Sequence, residues 1–193
     1  MKLFRWFVAF LFAGSVKLAT AGIIIDFNES GSDVIGSYSG TINPSALSLF
    51  NTVGQGGGAI VPSGPCVAFS SGSLVTLDRY NFNPIGSFDP FGSFVFTIAS
   101  SSSGDDIRFD GGVNQMALPQ GYAGGSLTGS MTFLNKDFTT LGLTEGNYQY
   151  TFGQIGAVTD TVSINVNRAQ VPAPATLALL GLGLLGLRLR RSA

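Results

Sequence analysis

The sequence predicts an all-β fold: an antiparallel β-sandwich of Greek-key or jelly-roll-like type, with an N-terminal signal-peptide helix and a C-terminal transmembrane helix. Three observations predict it. Apolar and polar residues alternate with period two in three segments, 127–133, 148–152 and 161–167, the pattern of strands packed on one face. Glycine supplies 27 of 193 residues, about 14% against a usual ~7%. With Ser and Asn between short apolar bursts, it provides the turns that many strands require. Outside the two ends, no segment carries helical periodicity beyond a turn or two.

Residues 1–21 read as a secretory signal peptide. Lys2 and Arg5 form the positive start, residues 6–13 the apolar middle, and Ala19-Thr20-Ala21 the small-residue site, so cleavage is expected after Ala21. The expected partners at this end are the Sec machinery and signal peptidase.

Residues 22–170 are expected to form one domain, long enough for a sizeable core. Six of the ten basic residues lie in the two ends, leaving Arg79, Arg108, Lys136 and Arg168 against all eleven Asp and Glu. The central region therefore carries a formal charge of −7, which the whole-chain value of −1 hides. Nucleic acid is excluded as a partner, because phosphates demand a basic footprint. A lone cysteine, Cys66, rules out an internal disulfide framework. Its apolar neighbours Val67, Ala68 and Phe69 read it as a buried small hydrophobe.

In chain order the strands are expected at 23–28, 34–41, 59–61, 66–69, 74–77 and 94–98, with a short one at 107–109. Residues 46–52, opened by Pro44-Ser45, form the one weak helix candidate. The clearest strands follow. Leu127, Gly129, Met131 and Phe133 alternate with Thr128, Ser130 and Thr132; Tyr148, Tyr150 and Phe152 alternate with Gln149 and Thr151; Val162, Ile164 and Val166 alternate with Ser163, Asn165 and Asn167. Leu143-Thr144-Glu145-Gly146-Asn147-Tyr148 fits a tyrosine corner, in which a Tyr opening a strand bonds back to nearby backbone.

Histidine is absent from the sequence, which removes Ser-His-Asp and Cys-His catalysis and the common zinc sites. No convergent acid/base set is visible, and no enzymatic activity is expected. Asp105, Asp106 and Asp110, set among Gly104, Gly111 and Gly112, are a candidate Ca²⁺ cluster, with acidic turns around a strand as the plainer reading. No other cofactor is expected. Phe82, Phe88 and Phe91 lie in a long loop at 81–93; they either stack on sugar rings or pin the loop to the core, and pinning is favoured. The run Gly181-Leu182-Gly183-Leu184-Leu185-Gly186 spells a dinucleotide fingerprint but has no preceding strand, no βαβ unit and no following acid.

Residues 171–193 carry the most specific signal. Pro172 and Pro174 deny two backbone donors, so a helix begins at or after Pro174. The run at 175–187 holds only Leu, Ala, Gly and one Thr, and Arg188, Arg190 and Arg191 follow. An all-round apolar helix with a basic end fits a membrane span with its C-terminus in the cytoplasm. At 1.5 Å per residue the span reaches roughly 20 Å, so flanking residues and bilayer thinning must complete it.

Val171, Pro172, Ala173 and Pro174, followed by Leu-Ala-Leu-Leu-Gly-Leu-Gly-Leu-Leu-Gly-Leu and the arginines, resemble the PEP-CTERM sorting tail of Gram-negative bacteria that make exopolysaccharide. The family's central Glu is Ala173 here. The resemblance implies recognition and cleavage by an exosortase at the inner membrane. It also implies a final place at the cell surface or in the extracellular matrix, with exopolysaccharide as a further partner. The expected role is structural or adhesive, and the alternative is a carbohydrate-binding sandwich module.

Overall fold

Alternation dictates the first hairpin. Ile23, Ile25 and Phe27 of β1 (Gly22–Ser30) and Val34 and Tyr38 of β2 (Asp33–Thr41) turn one way and are buried. Ile24, Asp26, Ser37 and Ser39 turn the other way, since successive side chains of a strand face opposite sides. The computed structural model describes residues 22–153 and 158–167. The predicted signal peptide with Ala19 and Ala21, and the tail with Val171, Pro172, Ala173, Pro174, Arg188, Arg190 and Arg191, lie outside the described residues.

After β2, Asn43 caps a 3-10 turn (Pro44–Ala46), its Oδ1 accepting the Ser45 N–H. The chain continues through β3 (Ser48–Gln55), β4 (Ala59–Val61), β5 (Cys66–Phe69), β6 (Val75–Asn81), β7 (Pro84–Ile85), β8 (Thr97–Ile98), β9 (Ser101–Gly104), β10 (Ile107–Asp110), β11 (Gln115–Pro119) and β12 (Leu127–Phe133). A single-turn helix α1 (Phe138–Leu141) precedes β13 (Gly146–Gly153) and β14 (Thr159–Asn167).

These strands form two seven-stranded sheets, β7-β13-β14-β1-β2-β12-β9 and β3-β6-β11-β10-β5-β4-β8. Their inner faces share one core, so the architecture is an all-β sandwich, as expected. Across the interface Tyr38 of the first sheet meets Phe69 of the second with ring centroids 4.5 Å apart. Phe82 lies 4.7 Å from Phe152 and 5.9 Å from Phe109. Each fully buried side chain of this size contributes roughly 1.5–3 kcal/mol of transfer free energy.

The structure corrects four expectations. The sandwich is not wholly antiparallel: β1 and β14 run parallel, with Ile25 opposite Ile164 and Asp26 opposite Asn165. The first and last strands have the whole domain between them, so no tight hairpin imposes an antiparallel pairing. The helix expected at 46–52 is mostly β3, which pairs with β6; Leu49 and Phe50 are exposed instead of forming a buried helical stripe. The strand at 74–77 begins at Val75 and runs to Asn81, with Leu74 in solvent. Of 94–98 only Thr97–Ile98 is paired, with β4, while Phe94 and Phe96 stand exposed.

Candidate functional site

The outward side chains of the first sheet form rows fixed by strand register. The central row runs Asn147, Asn165, Asp26, Ser37, Ser130 and Ser103 through β13, β14, β1, β2, β12 and β9. One neighbouring row places Ser163, Ile24, Ser39 and Thr128 side by side, and the other Asn28, Ile35, Thr132 and Ser101. Strand spacing sets these groups about 4.8 Å apart across the sheet, with about 6.7 Å between rows. The result is a regular surface chiefly of hydroxyls and amides, with Asp26, Ile24 and Ile35 set among them.

Within it lies an open groove of about 490 Å³ lined by Asp26, Ser37, Ser39, Ser103, Thr128 and Ser130, with Tyr38, Gly104 and Gly129 beneath. The two glycines create its floor. Gly104 has φ +96, and a Cβ there would come within 2.4 Å of the Gly129 Cα; a Cβ on Gly129 would stand 2.5 Å from the Tyr38 ring. Only side-chain-free backbone lets β2, β12 and β9 approach this way.

Several bonds hold the surface still. The Asn165 Nδ2 donates to Asp26 Oδ1 at 2.8 Å, and the Ser103 and Ser130 hydroxyls are 3.1 Å apart. Below, the Tyr38 hydroxyl donates to the Asp105 carbonyl at 2.8 Å. Burial, helped by the nearby Asp105 and Asp106 charges, pushes the Tyr38 phenol far above its ordinary value, so it remains a neutral donor.

The acidic residues singled out in the sequence are dispersed. Asp105 Oδ2 accepts the Thr128 N–H at 2.8 Å, and Asp106 Oδ1 accepts the Ser71 N–H at 2.9 Å. Asp110 pairs with Arg108 at 2.5 Å on the second sheet. The four-residue strand β10 carries Asp110 away from the other two. Among the described residues no group of three or more His, Cys, Asp or Glu is placed to hold a metal ion.

The phenylalanines are pinned inward. Phe91 is fully buried, stacked 6.3 Å from Phe27, and Phe82 is buried against Phe109 and Phe152. Phe88 is half-buried, 5.1 Å from Tyr150 and 5.7 Å from Phe82. The three rings pack on other rings of the core, the loop-pinning arrangement favoured over sugar stacking from the sequence. Cys66 is half-buried rather than fully so. Burial first, then Asp110, pushes its thiol up to about 11, with Arg108 opposing.

Asp26, Ser37, Ser39 and Ser103 were not singled out in the sequence. Their signal was alternation alone, and what joins them is strand order.

Fold and surface together define a two-sheet β-sandwich protein presenting a broad polar face. The model of the PEP-CTERM protein-sorting motif matches residues 170–192. That motif, at the C-terminal position expected for an exosortase substrate, is the signal of an exported protein sorted through the membrane. Comparison with curated proteins and with solved structures returns no match.

Proposed function

We propose that this exported sandwich serves a structural or adhesive role at the cell surface or in the extracellular matrix of a Gram-negative bacterium. The tail holds it at the inner membrane until the exosortase acts. The observation that carries the reading is the outer face of the first sheet: a wide, shallow, hydrogen-bonding surface suits contact with an extended partner better than enclosure of a small substrate. We read the protein as non-enzymatic, since Asp105, Asp106, Asp110 and Asp160 each accept structural hydrogen bonds or pair with Arg108. A carbohydrate-binding role is the second reading. The hydroxyl-lined groove favours it and moves it from the phenylalanine loop to the sheet.

The test is intact mass, with surface retention on washed cells, in the native host with and without its exosortase. A chain beginning at Gly22, ending within residues 172–175 and retained on cells only when the enzyme is present is the expected result. A chain that keeps Arg191 in both hosts, or is never retained outside the cell, overturns it.

A further inference from the structure

We infer that the outer face of the first sheet binds an uncharged polysaccharide laid across the strands, along the row Asn165, Asp26, Ser37, Ser130 and Ser103; this rests on the adhesive reading and names its ligand class. Three features argue for it. The groove is open instead of enclosed, so a long chain enters and leaves freely, whereas a small molecule would remain largely solvated. Its hydroxyls and amides both donate and accept, matching ligand hydroxyls of either sense. These side chains are short and sit on paired strands, so little rotamer freedom is lost on binding.

Charge selects the class of polymer. Asp26 is the one ionisable side chain among those three rows. Its Oδ1 is occupied by Asn165, leaving Oδ2 to accept from a ligand hydroxyl. Among the described residues no cation stands in these rows: Arg79 and Arg108 lie on strands of the second sheet and Lys136 lies beyond the end of β12, so an anionic polymer faces an acidic body. Ile24 and Ile35, 50% and 38% exposed, flank the central row and offer apolar ridges to the C–H faces of sugar rings.

The test is native affinity electrophoresis of the full-length chain in detergent. Gels contain mixed-linkage β-glucan, dextran or galactomannan, with alginate as the anionic comparison. Expected are retardation by at least one neutral polysaccharide, none by alginate, and about a tenfold loss of affinity in Ser37→Val/Ser130→Val. Phe50→Ser, on the opposite sheet, leaves affinity unchanged. Asp26→Asn provides a second variant should the double one fail to keep the wild-type urea midpoint. Wild-type chain that no neutral polysaccharide retards, retardation indifferent to both variants, or preference for alginate overturns the inference. So does a concentration-dependent dimer in sedimentation velocity that the same substitutions abolish, which would assign the face to a second copy. Retention on cells without polysaccharide binding sinks this inference and leaves the adhesive role standing; loss of retention sinks that role.

Discussion

Asp160 accepts the backbone N–H of Asn43 through Oδ2 at 2.6 Å, tying the last strand to the first connection between the sheets across a separation of 117 residues. Its Oδ1 accepts the Thr161 N–H at 2.7 Å. The residue is 1% exposed, and burial raises its pKa above the ordinary carboxylate value against the opposing pull of those two bonds. A folded-state pKa above the unfolded one means that the native state holds the proton more tightly. The associated stability is full below the unfolded value and is lost as pH rises through the folded one. Urea titrations of wild type and Asp160→Asn from pH 3 to 8 should show the wild type losing ground to the variant as pH rises through that window; a flat difference contradicts it. Asp160→Ala leaves both N–H groups without their acceptor and should cost about 2–3 kcal/mol below that window and less above it.

Tyr148 donates its hydroxyl to the Thr144 carbonyl at 3.0 Å, closing the corner that opens β13. Tyr148→Phe keeps the ring against Phe91, 6.3 Å away, and removes only this bond. The expected loss is about 1 kcal/mol, read as a lower urea midpoint with an unchanged slope. A change below a few tenths of a kcal/mol would show that the corner does not fasten the strand.

That corner was legible because its signal is local: a glycine, two residues on a tyrosine, and a partner four residues upstream. The strands with clean alternation, β12, β13 and β14, were legible for the same reason. Residues 46–52 misled because Ala46, Leu49, Phe50 and Val53 recur at helical spacing, while the 3-10 turn at Pro44–Ala46 uses up the start signal. Pairing with β6 then overrides propensity. β11 gave no sign, being a short strand whose burial rests on β10 and β6. The polar surface was legible only in fragments. Thr128 and Ser130 read as the wet side of a strand, but nothing local says that β12 lies between β2 and β9, or that β1 runs parallel to β14.

Gly129 sits where those strands press together. An added Cβ would stand 2.5 Å from the buried Tyr38 ring and 2.9 Å from the Ser103 carbonyl, neither of which moves cheaply. Gly129→Ala should cost about 1–3 kcal/mol, the range of overpacked sites. Hydrogen exchange should quicken in β9 before the rest of the sheet, since Gly129 and Ser130 pair directly with Gly104 and Ser103. Uniform exchange, or unchanged stability, would count against a close-packed floor.

Cys66 stands opposite Asp110 in the β5–β10 ladder, beside the Arg108–Asp110 pair. Burial and the Asp110 charge raise its thiol from 9.0 to about 11, while Arg108 pulls the other way. At pH 8 the native thiolate fraction is thus about a hundredfold below that of the unfolded chain, and alkylation depends on the thiolate. Iodoacetamide should label native protein about two orders of magnitude more slowly than protein in urea, and no disulfide-linked dimer should accumulate under aerobic conditions. Asp110→Asn removes a raising charge and leaves Arg108 unopposed, so labelling should quicken and its pH midpoint fall. Native labelling as fast as in urea would mean that the thiol is neither desolvated nor held by its acidic neighbour. A midpoint unmoved by Asp110→Asn would leave burial as the sole cause.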